Sequence, residues 1–235
     1  MVRYNPQVEN PFLRRGTSFT PTFLSNLGII FLLGLLVYMN SLGGGFVYDD
    51  YAFIVNNPHI KTLSHPGRFF LLKTATSFSG HSIWRPLRTL SFAFDYHLWG
   101  LEPFGYHLTN VLFHIINGVL VYIIILRLGL AWRVALISSC LFLVHPLQTE
   151  SVSWISSRGD CLFAAFFLLS LYWYMKGRII LSYLSFILSL FSKETALSLP
   201  LLLLAYDSLF IRPQFVEKRK NNITPSCQKI GRAHV

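Results

Sequence analysis

The chain has 235 residues, 53% hydrophobic and 16% aromatic but only 13% charged, with a mean hydropathy of +0.49. An ordinary soluble domain carries roughly 25% charged residues, so this balance excludes a soluble globular enzyme and fits a polytopic membrane protein. The net charge of +10 does not imply a nucleic-acid partner. Long apolar runs split the Lys and Arg residues into small groups that form no continuous patch, and positive charges so arranged mark one face of a bilayer.

In chain order, a first span is expected over Thr22–Leu42, uncharged throughout and preceded by Arg3, Arg14 and Arg15. Its length exceeds the roughly 7–15 residues of a signal-peptide core, and no small-residue cleavage site follows, so it reads as an uncleaved span. Residues 43–105 form a long polar and aromatic loop. Two helix-like runs within it, Gly67–Phe78 and Leu87–Trp99, are expected along the membrane surface.

A second span is expected over Tyr106–Leu126 and a short third over Ala131–Val144, with Arg133 snorkelling at its start. A second polar loop, His145–Asp160, leads to a fourth span over Cys161–Met175, closed by Lys176 and Arg178. A fifth span, Ile179–Phe191, reaches Ser192, Lys193 and Glu194, and a sixth runs from Thr195 to Ile211. The fold class is therefore all-α, with about six transmembrane helices and a long first extracytoplasmic loop.

Alternating the loops across the bilayer tests these spans. One side receives Arg3, Arg14, Arg15, Arg127, Arg133, Lys176, Arg178, Arg212, Lys218, Arg219 and Lys220, with Glu9, Asp207 and Glu217 as its acids. The other side holds the remaining seven acids. The positive-inside rule makes the first side cytoplasmic, so the N-terminus is expected there, and residues 43–105 face the periplasm, cell exterior or ER lumen.

Cys140, Cys161 and Cys227 are odd in number and widely spaced, which supports neither a disulfide framework nor a zinc site. The last residues, Ile230–Val235, read IGRAHV. ATC GGA AGA GCA CAC GTC would encode them, a string resembling a short-read sequencing adapter. The expectation is a truncated reading frame running into adapter, so these residues are set aside from functional reasoning.

The segment FVYDDYAFIVNNPHI, Phe46–Ile60, places the adjacent carboxylates Asp49 and Asp50 at headgroup depth just after the first span. Two readings fit: a base that takes a proton from a hydroxyl, and a cap on a short helix starting near Tyr51. Arg85 and Arg88 share a helix face and suit phosphate, whether on a substrate or on ordinary headgroups.

His107, Asn110, His114 and Asn117 recur at helical spacing in the second span, where they serve either interhelical hydrogen bonds or a substrate headgroup. Glu150, Arg158 and Asp160 lie in the second external loop, and Lys193 with Glu194 in a third. Each group fits a solvated turn as well as a site. Phosphate-loop, dinucleotide, HExxH and nucleophile-elbow motifs do not occur.

The motifs FVYDD, WRPL, PFGYHLTNVLFHIINGVLVY, LFLVHPLQTESVSWISSRGD and SKETALSLPLLLLAYD, taken together and in this order over residues 22–212, resemble one family. The chain is similar to the N-terminal membrane region of the transmembrane and tetratricopeptide-repeat proteins and their bacterial relatives, within the GT-C class of membrane glycosyltransferases. The further spans and C-terminal repeats of that family do not occur in it, which fits a truncated fragment.

The resemblance implies inverting transfer of a sugar, often mannose, from a polyprenyl or dolichyl phosphate to a protein Ser or Thr hydroxyl. It implies Asp49 as base with Asp50 beside it, and Arg85 and Arg88 against the lipid phosphate. His107, Glu150, Asp160, Lys193 and Glu194 are candidate substrate contacts. The lipid-phosphate sugar enters as substrate, and the scheme requires neither cofactor nor metal.

The corresponding organisation is a cytoplasmic N-terminus (1–21), a GT-C-like membrane region (22–212), a cytoplasmic tail (213–229) and the adapter residues (230–235). Two other readings stand beside the enzyme. One is a non-catalytic membrane anchor that displays repeats; the other is a transporter of lipid-linked sugars.

Overall fold

A computed structural model describes residues 21–63, 66–71 and 84–211. The cytoplasmic N-terminus expected before residue 21, the tail at 213–229 and the adapter residues lie outside the described residues. Among the described residues the secondary structure is helical, with no strand. They fall into two units, one ending at Ala196 and one starting at Leu197.

In the first unit, α1 (Pro21–Tyr38) carries the apolar run of the first span and continues as a 3-10 turn over Met39–Gly43. Helix α2 (Pro86–Trp99) lies in the long loop and starts at a proline, whose missing N–H is no loss at the first helical position. Helix α3 (Pro103–Arg127) also starts at a proline, three residues ahead of the expected second span. Then follow α4 (Trp132–Val144), the short α5 (Gln148–Ser153), α6 (Arg158–Met175) and α7 (Ile179–Ser192).

The expected six apolar spans are all helices. The stretches Thr22–Gly43, Pro103–Arg127, Ile155–Met175 and Glu194–Ile211 are long and apolar enough to cross a membrane, whereas α4 and α7 are shorter. At roughly 1.5 Å per residue those two extend about 20 Å, against roughly 30 Å of hydrocarbon. The described part of the chain is an all-α membrane protein.

Close packing rests on small residues. A Cβ at Gly34 would stand 2.4 Å from the Ile115 side chain, so α1 meets α3 through a glycine. At Gly118, where a Cβ would stand 2.8 Å from Leu143, α3 meets α4 in the same way. Helices α6 and α7 form an antiparallel hairpin about Gly177, which takes φ 70°.

Helix α7 is apolar on the outside. Ser182, Ser185, Ser189 and Ser192 are buried, while Ile180, Tyr183, Leu184 and Ile187 are exposed. The Ser170 hydroxyl donates to the Ser182 carbonyl at 2.8 Å, the Ser182 hydroxyl returns to the Ser170 carbonyl at 2.9 Å, and Ser189 donates to the Phe163 carbonyl at 3.0 Å. In lipid such packing and interhelical bonding replace the hydrophobic drive that water would supply.

At one end of this unit Arg127 lies over the Tyr172 ring and Arg178 over Trp173. At the other end the two long loops pack together around Phe53, Ile54, Ile60, Phe92, Tyr106 and Ile155. The helix expected at Gly67–Phe78 begins at Pro66 as a 3-10 turn ending at Phe70; residues 72–78 lie outside the described residues. In the second unit, α8 (Leu199–Tyr206) runs into a π-helical turn over Asp207–Ile211.

Candidate active site

The first loop starts with a strained turn. Tyr48 adopts φ 45°, a left-handed conformation that costs a non-glycine residue roughly 1–2 kcal/mol. The turn is closed twice: the Asp50 backbone N–H donates to the Val47 carbonyl at 2.9 Å, and the Val47 N–H donates to Asp50 Oδ2 at 3.0 Å.

Asp50 is fully buried. Its Oδ1 accepts the Ser156 backbone N–H at 2.9 Å and also the Ser156 hydroxyl. The carboxylate therefore ties the first long loop to the second. As a helix cap Asp50 is ruled out, because it gives no capping bond to the π-helical turn Tyr51–Val55 that follows. Asp49 has the opposite setting: it is exposed and lines a cavity.

That cavity has a volume of about 200 Å³. Asp49, Glu150 and Asp160 bring carboxylates to it, and Arg85, Arg88 and Lys193 bring cations. Phe53, Trp154, Ser156 and Ser157 complete its wall. The sequence candidates from three separate loops thus converge, although more than a hundred residues separate Asp49 from Lys193. Among the described residues no group of three His, Cys, Asp or Glu side chains is placed to hold a metal ion.

The cations differ in what they bind. Arg85 Nη2 donates to Glu194 Oε1 at 2.7 Å, with the carboxylate 67% exposed at the rim. Lys193 donates to Asp160 Oδ1. Arg88 is only 2% exposed, lies over the Phe53 ring at 4.0 Å, and gives a long 3.4 Å contact from Nη1 to the Ser156 carbonyl. Its Nε and Nη2 have no hydrogen-bond partner.

Burial lowers the Arg88 guanidinium to about 10, with nearby Arg85 the second cause; it stays charged at neutral pH. A buried cation with two unused donor atoms is costly unless an anion completes it. Arg88 thus brings to the cavity wall a buried charge with two unpaired donor atoms.

The site is held by a second polar cluster, in which Arg158 and Asn110, both candidates from the sequence, meet Asp95, which the sequence did not mark. Arg158 opens α6 with no exposure and pairs with Asp95 of α2 at 2.5 Å. Its Nε donates to Asn110 Oδ1 at 2.7 Å and its Nη2 to the Tyr106 carbonyl at 2.8 Å, both on α3. Burial raises the Asp95 carboxyl pKa, with Arg158 and the Thr109 hydroxyl opposing it. At Gly159 a Cβ would stand 3.3 Å from the Ser192 carbonyl and 3.7 Å from the side chains of Arg85 and Arg88. This glycine lets α6 approach the arginines.

The intramembrane polar residues separate into two kinds. Asn110 donates to the Trp154 carbonyl at 3.2 Å, His114 Nε2 meets the Leu143 carbonyl at 3.2 Å, and Asn117 donates to the Cys161 carbonyl at 3.0 Å. These are bonds between elements. His107 is buried beneath the turn at Gly44, where a Cβ would stand 2.9 Å from its Nε2, and it is not part of the cavity wall.

Sequence comparison adds the decisive observation. The chain is 41% identical over 150 residues to protein O-mannosyl-transferase tmtc2 of Xenopus laevis, covering 61% of this chain and 18% of that protein. It is 34% identical over 181 residues to protein O-mannosyl-transferase Tmtc1 of Drosophila melanogaster, covering 72% and 21%. It is 33% identical over 181 residues to human protein O-mannosyl-transferase TMTC4, covering 68% and 24%.

The chain is related to the TMTC protein O-mannosyl-transferases. It spans about a quarter or less of the length of those TMTC proteins. No protein-family profile matches it. No solved structure matches it either.

Proposed function

We propose that this membrane region belongs to a glycosyltransferase that moves a sugar, mannose by analogy with its relatives' names, from a polyprenyl or dolichyl phosphate to a protein Ser or Thr hydroxyl. One observation carries the reading: in a relative of named O-mannosyl-transferases, an exposed carboxylate and a buried, unsatisfied guanidinium share one small cavity. At about 200 Å³ it lies below the roughly 300–1,000 Å³ of drug-sized sites. That suits a single headgroup rather than a lipid-linked oligosaccharide.

In the reaction the acceptor oxygen attacks the anomeric carbon as the bond from that carbon to the phosphate oxygen breaks. Asp49 takes the hydroxyl proton, and the bond electrons leave with the phosphate, whose growing charge Arg88 and Arg85 stabilise. Attack opposite the leaving phosphate inverts the anomeric centre. Asp50, buried and bonded to Val47 and Ser156, acts as a positioning residue that holds Asp49 at the cavity. Glu194 and Asp160 pair with Arg85 and Lys193.

The same reading places the cavity outside the cytoplasm, because Arg127, Lys176 and Arg178 gather at the opposite end of the helices and positive charge stays inside. The N-terminus is then cytoplasmic, and the membrane is a bacterial inner membrane or that of the ER. The bonds of Asn110, His114 and Asn117 to neighbouring carbonyls favour transfer over transport, since they use these groups in packing rather than along a polar path. The test is Asp49→Asn: sugar transfer is lost while membrane insertion is retained, and unchanged transfer overturns the base assignment.

A further inference from the structure

Trp154 is unlike the chain's other tryptophans. The sequence holds five, and among the described residues Trp154 alone has an indole N–H that is both buried and without a hydrogen-bond partner. The side chain lines the cavity together with Arg88. Its backbone is fixed from both directions, the N–H donating to the Glu150 carbonyl at 3.2 Å and the carbonyl accepting from Asn110 at 3.2 Å. Movement of the backbone is therefore not an easy way to satisfy the indole.

The other aromatic ring of the cavity wall, Phe53, carries the Arg88 guanidinium at 4.0 Å, and Trp154 is the second aromatic side chain of that wall. An aromatic ring with a polar handle matches a sugar, whose C–H groups pack against rings and whose hydroxyls accept hydrogen bonds. A buried donor left unpaired is unfavourable, and a ligand that pairs it recovers that loss. Arg88 poses the same problem for an anion, with two donor atoms unused. A sugar phosphate joins the two groups through one glycosidic oxygen, within the reach of a cavity of about 200 Å³.

We propose that Trp154 is the sugar-contacting specificity residue of this cavity: its indole N–H donates to a hydroxyl of the monosaccharide whose phosphate Arg88 holds. The inference rests on the lipid-phosphate donor proposed above and adds to it the group that distinguishes a sugar-bearing lipid from a bare lipid phosphate.

The experiment measures binding of dolichyl phosphate mannose and of dolichyl phosphate to the protein in nanodiscs. Trp154→Phe keeps a ring and deletes the N–H. It is expected to weaken the mannosyl lipid about tenfold, equivalent to roughly 1.4 kcal/mol, and to leave dolichyl phosphate within about twofold. Equal affinity of the variant and the parent for the mannosyl lipid overturns the proposal, as does an equal loss for both lipids.

A second measurement needs no variant. Among the four monodeoxy mannosyl lipids, one is expected to bind the parent protein about tenfold more weakly than the mannosyl lipid itself, and equal binding of all four overturns the sugar contact. If the parent protein binds neither dolichyl lipid, the donor reading falls and this inference with it. If it binds both equally and Arg88→Gln abolishes both, the phosphate site stands and the role of Trp154 falls.

Discussion

Asp49 and Asp50 are neighbours of the same chemistry, yet Asn at the two positions should have opposite consequences. Asp50 is fully buried and accepts the Val47 N–H at 3.0 Å, the Ser156 N–H at 2.9 Å and the Ser156 hydroxyl. In Asp50→Asn the amide oxygen keeps the Ser156 bonds, but the NH2 group then faces the Val47 N–H, donor against donor. One charge-assisted bond, worth about 1.5–3 kcal/mol, is lost, and the new amide N–H group is left without an acceptor at a fully buried position.

The net expectation for Asp50→Asn is about 2–4 kcal/mol of destabilisation, which at about 2–4 °C per kcal/mol lowers the melting midpoint by roughly 4–16 °C. Asp49 is exposed, so Asp49→Asn should stay within about 0.5 kcal/mol of the parent. Thermal melting of the two variants in detergent checks both figures. Midpoints within about 1 °C of each other would refute the division of labour between the two carboxylates.

Other expectations are independent of that pair. Asp95→Ala strands the buried Arg158 charge and should cost about 3–5 kcal/mol, while the double variant Asp95→Leu with Arg158→Leu should cost less than the two single losses together; melting of the full cycle measures this. Glu194→Gln removes a partner that is 67% exposed, so stability should change by less than about 1 kcal/mol. If Glu194 competes with phosphate for Arg85, the same change should tighten dolichyl phosphate binding, which titration reads directly. Gly118→Leu places a side chain where even a Cβ stands 2.8 Å from Leu143 and should destabilise by about 1–3 kcal/mol, again read by melting.

The helices of this chain are legible because lipid demands internal hydrogen bonding over long apolar stretches, and apolar runs of that kind are visible in any sequence. The expected spans at 161–175 and 106–126 each start about three residues late, since Arg158 and Pro103 open their helices from polar sequence. Asp49 was legible as a candidate from its place after α1, but its difference from Asp50 was not. That difference depends on Ser156, about a hundred residues away, and only packing of the two loops brings them together.

Asp95 was likewise hidden, as one acid among several in a polar loop; its signal is a partner, Arg158, on another helix. Nothing local in the sequence around Trp154 marks an unpaired indole. Asn110, His114 and Asn117 left two readings open from spacing alone, and the neighbouring carbonyls decide for packing.

The central claim is that an external cavity of this chain transfers a lipid-phosphate sugar with Asp49 as base. The most direct measurement is transfer of radiolabelled mannose from dolichyl phosphate mannose to a Ser/Thr peptide, in membranes expressing the protein or its Asp49→Asn variant at equal levels. The account predicts transfer by the parent and none above background by the equally inserted variant; undiminished transfer by Asp49→Asn would contradict it.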